Sequence, residues 1–426
     1  MPNKSSERTT STLVVEGGHK LSGRIDVEGN KNSALPLLAA CLLTDQACEL
    51  TNVPRIKDVD VMVELLSGLG ADICRKGPTT LSVHCAKVSP EPPDPGLVGR
   101  LRGSVLLVGP LLARVGRVML APPGGDFPAR RSLSVHLQAL KEMGVTEYEG
   151  SGHSLDASDG LTPASFYLDE ASVTGTETAL LAAAAANGVS EIRHAATEPH
   201  VVELCQFLGG MGVEIEGAGT STLRIHGGAK LTGASYQLEG DYIEAGSWAV
   251  IGAITGGEVE IYGARASDLE PIVNVLKRLK LECDSNDDRL TVSASKLEAC
   301  RQITTAPWPA FPSDMVSLVT VLATQAEGRT LIHDWMYELR LFALEQLSGM
   351  GANLFLCDPH RIIVDGPSLL KGRNLDTRDL RSGMALIAAG LAGTGVSHIG
   401  PLGTVERGYG NIVERLRSLG AQVSVE

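Results

Sequence analysis

One pattern recurs six times along this 426-residue chain and limits what it can fold into. The segments LLSGLGADI, LKEMGV, LGGMGVEI, LKRLKLEC, LSGMGANLF and LRSLGAQV share one helix-ending shape. Their marker positions Gly70, Gly144, Gly212, Lys280, Gly351 and Gly420 lie 74, 68, 68, 71 and 69 residues apart. Such regular spacing predicts six copies of one supersecondary unit. Each marker closes an amphipathic stretch, as in VDVMVELLSGLG and YGNIVERLRSLG, where the chain needs a residue tolerant of positive φ, and a strand pattern follows. Lys280 lacks that tolerance and predicts a weaker cap.

A second helix pattern precedes the first in every unit: NSALPLLAACLL, GSVLLVGPLLA, TALLAAAAANG, GSWAVIGAITG, MVSLVTVLAT and SGMALIAAGLAG. These are apolar all round, so they are buried, and their Ala and Gly content lets neighbours approach closely. Each unit therefore reads strand, buried helix, strand, surface helix, strands. Six units divide into two α/β domains of three, each with three buried helices ringed by sheets and outer helices, and the boundary falls near residue 240.

The composition fits tight packing. Apolar residues make up 43% of the chain but aromatics only 4%, with 48 glycines, so the cores rely on Ala, Val and Leu and on close backbone approach. A net charge of −13 opposes binding to nucleic acid or an anionic membrane, and any anion site must be local. The eight cysteines show no CxxC pair and no zinc spacing, which predicts reduced thiols, a cytoplasmic protein and no metal. Residues 1–12 are polar and read as a frayed tail, and the longest apolar runs fall short of the roughly 18–20 residues that span a bilayer.

The turn before each buried helix carries charge in turn: EGNKNSA, GRLRGS, SVTGTET, EGDYIEAGS, FPSDMV and RDLRSG. Repetition places Lys31, Arg102, Glu177, Asp241 with Glu244, Asp314 and Arg381 at equivalent helix N-termini, where they can line one face of a cleft between the domains. Unpaired N–H groups and the helix dipole favour phosphate or carboxylate there. The second loops add Arg130, Arg131, Arg340 and Arg407, a set suited to bidentate anion binding. Asp241 and Glu244 read as helix caps or first-turn acids, and Asp314, set in AFPSDM, reads as the better catalytic carboxylate.

Taken together, GNKNSALP (29–36), PGGD with a following arginine, SVTGTE (172–177), PAFPSDM (309–315), DLRSG (379–383) and ERGYG (406–410) resemble the UDP-N-acetylglucosamine enolpyruvyl transferase family in order and spacing, from about residue 13 to 425. The resemblance implies two inside-out α/β barrel domains of three repeat units each. Domain 1 spans 31–240, and residues 13–30 join 241–426 in domain 2. It also implies two small-molecule substrates, phosphoenolpyruvate and UDP-N-acetylglucosamine, and no cofactor. Lys31, Asn32, Arg131, Arg381 and Arg407 are implied to hold phosphoenolpyruvate. Arg102, Arg131, Ser134, Val135, Thr174, Gly175, Asp314 and Met336 are implied to hold the sugar nucleotide, with Asp314 taking the hydroxyl proton. Asp126, in the loop PPGGDFPARR, stands where the family usually has a cysteine that acts as general acid.

A free thiol, with a pKa of about 8.5, still holds its proton at neutral pH, whereas a free aspartic acid, at about 3.9, does not. Asp126 must therefore be desolvated under a closed loop beside substrate anions, against the opposing charges of Arg130 and Arg131. After the loop arginine the family usually carries a proline and then an acid, where this chain has Ser132 and Ser134. An enolpyruvyl transferase for another nucleotide or nucleoside acceptor, and a non-catalytic homologue that keeps the cleft, are the alternative readings.

Overall fold

The computed structural model describes residues 11–124, 132–148, 152–337 and 340–426. Six pairs of helices follow in chain order, a buried helix and then an amphipathic one. They are α1 (Lys31–Ala40) and α2 (Lys57–Gly68), α3 (Val108–Val115) and α4 (Ser134–Glu142), and α5 (Val173–Ala185) and α6 (Pro199–Gly210). The second half gives α7 (Tyr242–Ile254) and α8 (Ala266–Arg278), α9 (Val316–Ala323) and α10 (Glu345–Met350), and α11 (Leu380–Ala392) and α12 (Ile412–Ser418). Every residue from Leu380 to Leu391 is buried, as an apolar helix without a wet face requires. The helices α7, α9 and α11 pack against one another at the centre of one domain, and α3 packs on α5 in the other.

Around these helices, the described residues form six sheets, five of four strands and one of three. Two separate hydrophobic cores result. One runs from Ala34 to Leu238, and the other joins Leu13–Val27 to residues between Tyr242 and Ala421. The first domain closes when Ser235–Gln237 returns to pair in parallel with Cys48–Thr51. The second borrows the start of the chain: Gly23–Asp26 pairs in parallel with Val259–Tyr262, and Leu13–Glu16 lies antiparallel between Val396–Gly400 and Gln422–Val425.

The chain passes between domains twice, side by side. Asn30 N donates to Glu239 O at 2.8 Å and Asp241 N to Glu28 O at 2.9 Å, bracketing a bridge between Gly29 and Gly240. A Cβ on Gly29 would lie 1.8 Å from Asn52 O, and one on Gly240 1.9 Å from Gly263 O, so the crossing is built on glycine.

Two details depart from the sequence expectations. Ser11 and Thr12, assigned to a frayed tail, are tied down: Leu402 N donates to Ser11 O at 2.8 Å and Thr12 N to Glu426 O at 2.7 Å. Lys280 is not a failed cap. It adopts φ +63°, the left-handed conformation, where the five glycines at equivalent positions take +86° to +105°. That angle is inside the narrow well open to residues with a Cβ, and those of the glycines are not.

Candidate active site

A cavity of about 730 Å³ lies between the domains, and the first turns of the buried helices converge on it. Lys31, Arg102, Glu177, Asp314 and Arg381 line it. Asp241 and Glu244 do not. Asp241 caps α7, accepting from Ile243 N at 2.9 Å and Glu244 N at 3.0 Å, and also from Lys31 N at 3.3 Å across the domain crossing. Glu244 is buried against Arg415 and Trp248 Nε1.

Two carboxylates organise the cations. Asp58, in the first turn of α2, accepts Lys31 Nζ at 2.7 Å and Arg407 Nε at 2.9 Å. Lys31 and Asp58 come from domain 1 and Arg407 from domain 2. Burial pushes the Asp58 carboxyl up, but Lys31 and Arg407 outweigh it and hold the group below the usual carboxylate range. Asn32 stands beside them, its backbone N–H donating to the Asn30 side chain at 2.8 Å at the N-terminus of α1.

Asp314 is the second centre. Arg381 Nη2 reaches Oδ2 at 2.7 Å and Arg340 Nη1 reaches Oδ1 at 3.2 Å. Both guanidiniums are anchored from behind. Arg381 Nη1 donates to Tyr409 Oη at 3.2 Å, which meets Ser247 Oγ at 2.8 Å. Arg340 Nη1 donates to Ser313 Oγ at 2.7 Å, and Ser313 donates to the buried Asp334 at 2.7 Å. Burial acts against the charge on Arg381, yet its pKa is raised, because Asp314 and then Tyr409 counter the burial.

The remaining wall mixes polar and apolar groups. Arg102 Nη2 donates to Ser132 O at 3.0 Å, and Ser134 N donates to Ser132 Oγ at 3.0 Å as α4 begins. His136 bridges Thr178 Oγ1 at 2.9 Å and Thr174 Oγ1 at 3.1 Å; burial, then Arg102, lower its pKa to about 3. Ser134, Val135, Thr174 and Met336 line the cavity. Gly175 does not: it sits one layer back, where a Cβ would meet Val135 Cγ1 at 2.8 Å. Glu177, Glu198 and His200 line the wall too, and each has a buried polar atom without a hydrogen-bond partner among the described residues. Burial and then Glu198 raise Glu177 well above the ordinary glutamate value, and burial, against Asp314, lowers His200 to about 4.

Asp126, Arg130 and Arg131 lie outside the described residues. Asp58 escapes sequence reasoning because an acid in the first turn of an amphipathic helix is an ordinary complement to the helix dipole. Tyr409 lies inside ERGYG, and its role becomes visible only once Arg381 is seen against it. Outside the cavity, Glu214, Glu216 and His226 form the one group among the described residues with metal-ligand spacing, on an outer sheet.

Comparison with known proteins fixes the class. The family model described as EPSP synthase (3-phosphoshikimate 1-carboxyvinyltransferase) matches residues 15–416. The crystal structure of the enolpyruvyl transferase NikO from Streptomyces tendae superposes with a TM-score of 0.88 at 26% identity, over 97% of this chain and 98% of that one. EPSP synthase from Acinetobacter baumannii shares the fold at a TM-score of 0.76 and 19% identity, over 98% of this chain and all of that one. Among curated relatives, the UDP-N-acetylglucosamine 1-carboxyvinyltransferase of Bradyrhizobium diazoefficiens is 43% identical over 96% of this chain and 97% of that protein. The enzyme of the same name from Treponema denticola is 40% identical over 97% and 99%. The chain belongs to the carboxyvinyltransferase family, on the branch of the UDP-N-acetylglucosamine 1-carboxyvinyltransferases, and its two inside-out α/β barrels are that family's fold.

Proposed function

We propose that this protein transfers the enolpyruvyl group of phosphoenolpyruvate to the 3-hydroxyl of UDP-N-acetylglucosamine and releases phosphate. The setting is the cytoplasm and the first committed step of peptidoglycan synthesis, upstream of cell shape and division. No helix among the described residues is long and apolar enough to cross a membrane. The observation that carries the reading is the convergence of Lys31 and Arg407, from opposite domains, on one anionic centre in the cavity that the Asp314–Arg381 pair also lines.

Lys31, Asn32 and Arg407, with Arg381 and Arg131, hold the phosphate and carboxylate of phosphoenolpyruvate. Arg102, Arg131, Ser134, Val135, Thr174 and Met336 hold the sugar nucleotide. The 3-oxygen attacks C2 of phosphoenolpyruvate, Asp314 takes the hydroxyl proton and Asp126 delivers one to the methylene carbon, giving a tetrahedral intermediate. Loss of a proton from that carbon and of phosphate from C2 then restores the double bond as an enol ether. Clamped by two arginines, Asp314 offers the hydroxyl a fixed geometry, and domain closure keeps water from the reacting carbon.

Ser134 supports a second reading, an enolpyruvyl transferase for another nucleotide or nucleoside. It offers a hydroxyl at the start of α4 where the family usually has an acid. Phosphate release from phosphoenolpyruvate separates the readings, measured with UDP-N-acetylglucosamine, other uridine nucleotides, nucleosides and shikimate 3-phosphate as acceptors. Release with UDP-N-acetylglucosamine at a kcat/KM at least tenfold above the others supports the first. Release with none of them, alongside intact binding, would leave a non-catalytic binding protein.

A further inference from the structure

The seam between the domains carries a reciprocal pair of charges. In domain 1 the sequence reads Lys57–Asp58, and in domain 2 Glu406–Arg407. Lys57 pairs with Glu406 on the outer side, and Lys57 N donates to Glu406 O at 3.3 Å. Asp58 pairs with Arg407 on the inner side, where Asp58 is buried at 3% exposure and lines the cavity. Close backbone approach holds the two segments together: a Cβ on Gly410 would lie 2.5 Å from Arg55 O. The inner pair differs from the outer because Asp58 has a second cation, Lys31 Nζ, at 2.7 Å. One carboxylate therefore ties a side chain from each domain and occupies the centre on which both cations converge.

We propose that Asp58 is a positioning residue that acts as an internal stand-in anion. It holds Lys31 and Arg407 in the register that phosphoenolpyruvate requires and couples that register to the closed arrangement of the domains. The inference rests on the carboxyvinyl-transfer reading above. Its consequence runs against the usual effect of deleting a contact. Neutralising Asp58 leaves two partly buried cations with less compensation, so an incoming anion binds more tightly while the cations lose their alignment. A residue with only a structural role would weaken binding and turnover together.

The test uses the full chain and its Asp58→Asn, Asp58→Glu and Lys57→Gln variants. Inorganic phosphate is the calorimetric probe, and steady-state phosphate release is measured with phosphoenolpyruvate and UDP-N-acetylglucosamine. For Asp58→Asn the expected result is a phosphate Kd about tenfold lower, a KM for phosphoenolpyruvate equal to or below wild type, and a kcat at least about tenfold lower. Asp58→Glu restores the charge on a longer stem, so its phosphate Kd stays within about twofold of wild type and its kcat falls. Lys57→Gln, on the outer side, keeps kcat within about twofold. A weaker phosphate Kd or a raised KM in Asp58→Asn, or an unchanged kcat, would overturn the inference. A wild type that binds phosphate but releases none from phosphoenolpyruvate with any acceptor would instead overturn the transfer reading. The phosphate titrations still decide the role of Asp58 in that case.

Discussion

A carboxylate at position 126 has to keep a proton near neutral pH if it is to protonate a methylene carbon, whereas the one at position 58 has to give its proton up. The proposed mechanism needs both. Asp126→Asn keeps the size and removes the proton, so turnover is expected to fall by about 10²–10⁴-fold while both substrates still bind by calorimetry. Retained turnover would remove the proposed donor. Since a carboxylate is a poorer nucleophile than a thiolate, incubation with the epoxide fosfomycin is expected to leave no adduct at Asp126 by mass spectrometry. At this scale the sequence discloses residues whose type is unusual for their place, such as Lys31 at a helix start or Asp314 two positions after proline. Asp58 is hidden, because its partner Arg407 lies 349 positions away and an acid in the first turn of a helix is not locally odd.

The repeating helix end makes the element scale the most legible, and it also explains the one irregular copy. Lys280 takes the backbone conformation of the glycines at the cost of a left-handed Cβ. Lys280→Gly is expected to raise unfolding stability by about 0.5–1 kcal/mol in denaturant titrations, since relief of strain exceeds the extra freedom of the unfolded chain. The domain crossing predicts the reverse. Gly240→Ala sets a Cβ against Gly263 O and is expected to destabilise by about 2–4 kcal/mol, read as a lower melting temperature. The periodicity of apolar residues reveals which helices are buried, because a helix without a polar face has nowhere else to go. It does not reveal that Gly29 and Gly240 meet, which depends on where two distant segments cross.

For the molecule as a whole, buried acids and imidazoles tie stability to pH. Glu203 accepts from Ser33 Oγ at 2.6 Å and Glu239 N at 3.0 Å, and burial pushes its pKa from 4.5 up to about 7. Between those values the folded chain keeps a proton that the unfolded chain releases, so Glu203 makes the fold less stable as pH rises through that window. Glu203→Gln cannot titrate. Its stability relative to wild type is expected to improve by up to about 3 kcal/mol from pH 4.5 to 7 and then level off, as read from melting curves. His136 and His200 act in the opposite sense: held neutral down to about 3 and about 4, they withdraw stability as pH falls below 6.5. None of this is written in the sequence near these residues, because each shift comes from burial between units distant in the chain.

The strand Leu13–Glu16 sits between Val396–Gly400 and Gln422–Val425, so it can find its place only after two strands far along the chain have been made. Domain 1, whose core runs from Ala34 to Leu238, depends on no such wait. During synthesis that strand has to be carried, with its edges unpaired, while the whole of domain 1 is made. The sheet that holds Leu13–Glu16 is therefore expected to close late in assembly, after the core of domain 1.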